Sequence, residues 1–160
     1  MNIESVEHRG KTYRLIAKTF EELQLLEWYA ISTLRQEVFV VEQECPFLDN
    51  DSHDIKTLHI LLYDSSHKLL AYARVADKNI IYKEANIGRV CTAVEYRKAG
   101  LGRLIFEQAL QLLIENYGYQ NIKIQAQSYL VNFYQSFGFE VLNEAYLDVG
   151  IYHNDMMRHV

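Results

Sequence analysis

Apolar and polar positions first alternate between Lys11 and Phe20, where Tyr13, Leu15 and Ala17 interleave with Arg14, Ile16 and Lys18; this predicts a short opening strand. Thr19 then stands as an N-cap, with Glu22 at capping-box spacing. Leu23, Leu26, Ala30, Leu34 and Val38 follow at helical spacing, which predicts a helix from about Glu21 into Arg35–Val40, ended by Cys45-Pro46. Phe47 to Lys56 reads as a loop with acidic residues at 49, 51 and 54. Leu58 to Tyr63, broken only by His59, reads as a buried strand, and Leu69 to Val75 returns from a turn at Asp64–His67 as its hairpin partner. Asn86 to Val94 is a further strand carrying Ile87, Val90, Cys91 and Val94. Gly102 to Asn116 is a strong amphipathic helix closed by Gly118. Ile122 to Ala126 is a strand, Tyr129 to Phe137 a helix closed by Gly138, and Phe139 to Leu142 and Ile151 to Arg158 are closing strands.

This order predicts a mixed α/β sheet with helices on its faces and right-handed crossovers in the C-terminal half. No repeat, low-complexity stretch or linker interrupts it, so residues 1–160 read as one domain. The 16 basic and 21 acidic residues leave a formal charge of −5, and no basic run breaks the balance. That speaks against a nucleic-acid partner, because phosphate neutralisation needs clustered cations. No apolar stretch approaches the ~20 residues of a membrane helix, and the N-terminal residues lack a signal-peptide core. Cys45 and Cys91 form no CxxC pair, so they read as free, buried thiols of a cytoplasmic protein.

The chemistry concentrates between Ile87 and Arg103, where a strand runs through a short loop into the strong helix. The loop carries Arg97-x-x-Gly100-x-Gly102. Helix N-termini hold unpaired N–H groups and the positive end of the macrodipole. Glycines let backbone approach a phosphate without a Cβ in the way. Arg97, Lys98 and Arg103 add three cations, so a pyrophosphate is the natural guest. A Walker A loop would need Gly-Lys-Ser/Thr, but Gly102 is followed by Arg103-Leu104. A dinucleotide fingerprint would need a third glycine where Ile105 stands.

A second segment, Phe133-Tyr134-x-x-x-Gly138-Phe139, follows at a distance of one helix and one strand. The two segments together resemble the GNAT family of acyl-CoA-dependent N-acyltransferases. Val38-Phe39-Val40-Val41-Glu42-Gln43 with Cys45-Pro46, Ile87-Gly88-Arg89-Val90, and Ala126-Gln127 extend the likeness to the ElaA-like branch, from about Leu34 to Met157. The resemblance implies a mostly antiparallel central sheet of roughly six or seven strands with about four flanking helices, splayed at the strand that carries the cofactor. It implies acetyl-CoA as cofactor, with CoA as product and no metal.

By position, the resemblance lays the cofactor arm along Val90, Cys91 and Thr92, with Val94 near the start of the loop, in a strand-addition mode. Val94 stands where the family often has proline. The loop from Arg97 through Lys98, Ala99, Gly100, Leu101 and Gly102 to Arg103 is then the pyrophosphate cradle. Tyr134 matches the tyrosine that faces the cofactor sulfur. A phenol stays protonated at neutral pH and can protonate a departing thiolate. Gln127 stands at the family's usual asparagine position and is a candidate contact to the cofactor arm.

The resemblance implies an amine acceptor, on a small molecule or a protein, which must lose a proton before it attacks. Glu42 is the first candidate for that proton; Glu37, His59 and His153 are the alternatives. An ion pair of Arg35 with Glu37 or Glu42 competes with the catalytic reading. Asp49, Asp51 and Asp54 read as a solvated loop or as a lure for a cationic acceptor. Ile60 stands where a calcium loop needs Glu, and the His and Cys residues show no zinc spacing. Trp28, Tyr29 and Ile31 read as core or as the face of a homodimer. Two rivals to direct acetyl transfer stand beside it: a covalent route through Cys91, and a CoA-binding sensor or interaction module without turnover.

Overall fold

A computed structural model describes residues 2–160. The strands are β1 (Asn2–His8), β2 (Lys11–Thr19), β3 (Leu58–Tyr63), β4 (Leu69–Ala76), β5 (Ala85–Thr92), β6 (Ile122–Gln127), β7 (Glu140–Val141), β8 (Tyr146–Asp148) and β9 (Ile151–Arg158). The α-helices are α1 (Leu25–Arg35), α2 (Leu101–Tyr117) and α3 (Val131–Gln135). They build a mixed α/β fold on one open sheet, in the order β1-β2-β3-β4-β5-β6-β9-β7, with β8 added to β9. Every pairing is antiparallel except β5 with β6. Among the described residues no helix is long and apolar enough to cross a membrane.

Both faces of the sheet are covered, because successive strand residues point to opposite sides. Leu15, Ile60 and Leu62 pack with Ile105, Phe106, Ala109 and Leu113 of α2. Their neighbours Ile16, Leu61 and Tyr63 pack with Ile31 and Leu34 of α1 and with Val38. This explains why β3 is buried at all six positions and reads as a continuous apolar run. Of the three residues on α1 that read as core or interface, Ile31 is buried and Tyr29 is exposed.

Four details depart from the sequence reading. The structure has nine strands, because β1 and the three-residue β8 join the sheet. The predicted helix from Glu21 starts later: Thr19 and Glu22 box a single 3-10 turn, where the Glu22 carboxylate accepts from the Thr19 N–H at 2.9 Å. A second box, the Gln24 N–H donating to Glu27 at 2.9 Å, starts α1 at Leu25. After Arg35 the chain continues as a π-helical segment, Gln36–Glu42, whose wider turns are rare and recur at functional sites.

The fourth departure concerns the three aspartates of the acidic loop, which are held in ion pairs, although Asp49 also lines the cleft described below. Asp49 and Asp54 are buried and engaged with Arg35 at 2.6 and 2.7 Å. Arg74 reaches Asp51 and Asp54 at 2.7 Å each. Arg89 lies 2.9 Å from Asp49 and 3.3 Å from Asp51. Three aspartates and three arginines thus neutralise one another and tie loop, α1, β4 and β5 together. Arg35 therefore pairs with these aspartates rather than with Glu37 or Glu42.

Candidate active site

The site begins where β5 leaves β6. The two pair only through Ala85 with Ile122 and Asn86 with Lys123. Against β4 the register slips: Arg89 and Val90 together oppose Ala73, and Arg89 takes a φ of 53°. Such a bulge bends its strand, and from Ile87 onward the far edge of β5 has no partner strand. The gap is a cleft of about 580 Å³. Val90, Cys91 and Thr92 line one side, Phe39, Glu42 and Gln43 another, and Tyr134 and His153 also face it.

The cleft continues into a second recess of about 410 Å³ at the N-terminus of α2. The loop reaches it through a 3-10 turn, Val94–Tyr96. Lys98 and Gly100 adopt positive φ of 69° and 78°. Arg97 N–H donates to the Val94 carbonyl and Ala99 N–H to that of Tyr96. Among the described residues, the N–H groups of Lys98, Gly100, Leu101, Gly102 and Arg103 meet no acceptor. Uncommitted donors at the positive end of a long helix suit an anion. Arg9, Arg97, Lys98 and Arg103 surround the recess with cations. A Cβ on Gly102 would meet only Thr92, at 3.9 Å, so this glycine leaves room on the recess side. The residues present thus fit a diphosphate. Val94 and Ala99, both predicted contacts, line neither recess, and Val94 is exposed.

Arg9 is a cation the sequence reading missed. It sits on the β1–β2 turn and donates to the Lys98 carbonyl at 3.3 Å. Its neighbour His8 approaches the Ala99 carbonyl at 3.2 Å. The turn comes so close that a Cβ on Gly100 would lie 2.9 Å from His8 and 3.0 Å from Arg9. Gly100 is therefore required both by its φ and by this approach.

Tyr134 is held by the aromatic cluster of α3. Its ring meets those of Phe106 and Phe133 edge-on, both at 5.1 Å between centroids. Burial pushes its phenol up to about 12. Its hydroxyl makes no hydrogen bond among the described residues, and Tyr134 faces the cleft as a protonated donor. Gln127 also lines the cleft, but its amide already donates to Gln43 at 3.1 Å and its oxygen accepts from the Tyr129 hydroxyl at 2.6 Å. Cys91 lies on β5 as expected, yet burial pushes its thiol far above the ordinary range. A thiol so held supplies no thiolate nucleophile near neutrality.

Glu42 faces the cleft with both carboxylate oxygens on the Arg97 guanidinium, the second contact at 2.5 Å. The hydrogen bonds from Arg97 hold its pKa below the usual carboxylate range. Of the alternative bases, Glu37 is exposed on the π-helical segment and lines neither recess. His59 is fully buried, between the Tyr72 hydroxyl at 2.7 Å and the Asp54 carbonyl at 2.9 Å. His153 lines the cleft, with Nδ1 2.8 Å from the Ile151 carbonyl. A carbonyl only accepts, so Nδ1 carries the proton and Nε2 is left as the acceptor in the neutral ring.

Fold and site together define a class. The acetyltransferase (GNAT) domain model matches residues 31–160, and the chain belongs to that family. It is 36% identical to protein ElaA of Escherichia coli over 141 residues, which is 87% of this chain and 92% of that protein. The crystal structure of Escherichia coli ElaA superposes with a TM-score of 0.85 at 33% identity, covering 92% of this chain and 99% of that one. An acyl-CoA N-acyltransferase from Pseudomonas aeruginosa gives 0.86 at 35% identity, covering 91% and 99%.

Proposed function

We propose that this protein transfers an acetyl group from acetyl-CoA to an amine, on a small molecule or a protein, by direct attack in a ternary complex. The observation that carries the reading is the continuity of the unpaired edge of β5 with the uncommitted N–H groups at the start of α2. The family membership supports acyl transfer as the reaction class. Acetyl-CoA supplies, when bound, an activated thioester and a thiol leaving group.

The chain's own residues divide the remaining work. Backbone groups of Val90 to Thr92 and the N–H groups of Lys98 and of Gly100 to Arg103 are the donors for the pantetheine arm and the diphosphate. Rigid placement of both reactants converts a bimolecular encounter into a local one. N–H groups on the free edge of β5 near Thr92 are available to the thioester oxygen as it gains charge. Tyr134 gives its proton to the departing sulfur. His153 lines the cleft with an Nε2 that meets no partner among the described residues, and it takes the proton from the amine. The two buried free thiols suit a reducing cytoplasm.

Titration with acetyl-CoA, followed by a broad amine panel read as released thiol, tests the reading. The expected result is cofactor binding and turnover with at least one amine. Binding without turnover on any amine would instead make the protein a CoA-binding module. His153→Gln should lower kcat by about 10²-fold with acetyl-CoA affinity unchanged; an unchanged kcat would move the base elsewhere.

A further inference from the structure

Four residues line both the cleft and the α2 recess, Thr92, Arg97, Gly102 and Phe133, and of these Arg97 alone is charged. Glu42 lines the cleft alone. In the unliganded protein the guanidinium lies on the Glu42 carboxylate across the junction, joining the phosphate loop to the π-helical segment. The side chains of this pair are 38% and 37% exposed. A pair so open to water is weak, and a doubly charged diphosphate beside it is a stronger partner for a bidentate guanidinium. No other cation lies within ion-pair distance of Glu42 among the described residues.

We propose that the cofactor's diphosphate and Glu42 compete for Arg97, so that loading the cofactor frees a carboxylate in the wall of the acceptor cleft. This rests on the acetyl-CoA reading given above. Before loading, the pair is neutral and the cleft wall carries no net charge from it. After loading, Arg97 faces the diphosphate and Glu42 is left with its negative charge toward the cleft. An amine arrives mostly as an ammonium, so the freed carboxylate attracts it once the cofactor is in place. Glu42 is in this account a positioning residue whose availability is set by the cofactor, and binding order is built into one ion pair.

The test is a double-mutant cycle read by calorimetric titration with CoA, which has no acyl group and needs no acceptor. Glu42→Gln removes the competitor and should tighten CoA binding by about 3- to 5-fold, the range of a weak exposed pair. Arg97→Ala should weaken CoA binding. In the Arg97→Ala background, Glu42→Gln should have no further effect. Unchanged or weaker binding in Glu42→Gln alone would overturn the proposal. So would equal tightening in both backgrounds, because that is a general charge effect without Arg97. Failure of the unsubstituted protein to bind CoA would overturn the acetyl-CoA reading itself, which separates the two failures.

Discussion

At the scale of single residues, Gly100 and Gly102 do different work though they share one motif. Gly100 has a φ of 78° with His8 and Arg9 at 2.9 to 3.0 Å from any added Cβ. Gly102 faces open space beside Thr92. Gly100→Ala should therefore lower stability by about 1–2 kcal/mol through backbone strain, measured by urea unfolding. Gly102→Val should leave the melting temperature unchanged or raised, because valine forms helix better than glycine, and yet lower CoA affinity at least tenfold. Tyr134→Phe keeps the aromatic packing and removes one proton donor. Its kcat should fall by about 10²-fold, the lower range for a lost general acid, with CoA affinity unchanged. An unchanged kcat, with chemistry shown to limit the rate, would remove Tyr134 from the acid role.

At the scale of elements, the π-helical segment and the acidic loop border the cleft, and the cluster of Arg35, Arg74 and Arg89 with Asp49, Asp51 and Asp54 fixes both. Burial works to raise the Asp54 pKa, but hydrogen bonds from Arg35 and Arg74 win and hold it at about 2. A carboxylate with a depressed folded pKa stabilises above its unfolded value and loses that contribution as pH falls through the folded one. Stability should therefore decline from about pH 4 to pH 2 by about 2 kcal/mol from Asp54 alone, read by denaturant unfolding across that range. Arg35→Met should cost about 3 kcal/mol, because Asp49 and Asp54 each lose one buried cation and keep only Arg89 and Arg74. None of this was legible along the chain. Arg35 and its partners are 14 and 19 residues apart, and Arg89 lies 40 from Asp49. A local pattern of three acidic residues looks solvated until the fold brings arginines to them.

At the scale of the molecule, the parts read most clearly are those with a strong period or a backbone requirement. The buried β3–β4 hairpin, the amphipathic α2 and the Arg97-x-x-Gly100-x-Gly102 loop belong here, and all three stand where the sequence puts them. β1 was illegible because residues 4–10 are mostly exposed and so show no apolar alternation, yet its turn delivers Arg9 to the recess at the start of α2. The π-helical segment was illegible because its residues continue the helical spacing of α1, and only hydrogen-bond geometry separates the two. The Glu42–Arg97 pair spans 55 residues. Its partners were each read for a separate role, one as base and one as cofactor contact, before the fold joined them. The proposed function requires that the gap between β5 and β6 and the N-terminus of α2 form a continuous acyl-CoA seat. Backbone amide shifts of the 15N-labelled protein, recorded during titration with acetyl-CoA, test this directly. Saturable shifts should concentrate at Val90 to Thr92 and at Lys98 and Gly100 to Arg103; saturation with these amides unmoved, or shifts gathered on another face, would contradict it.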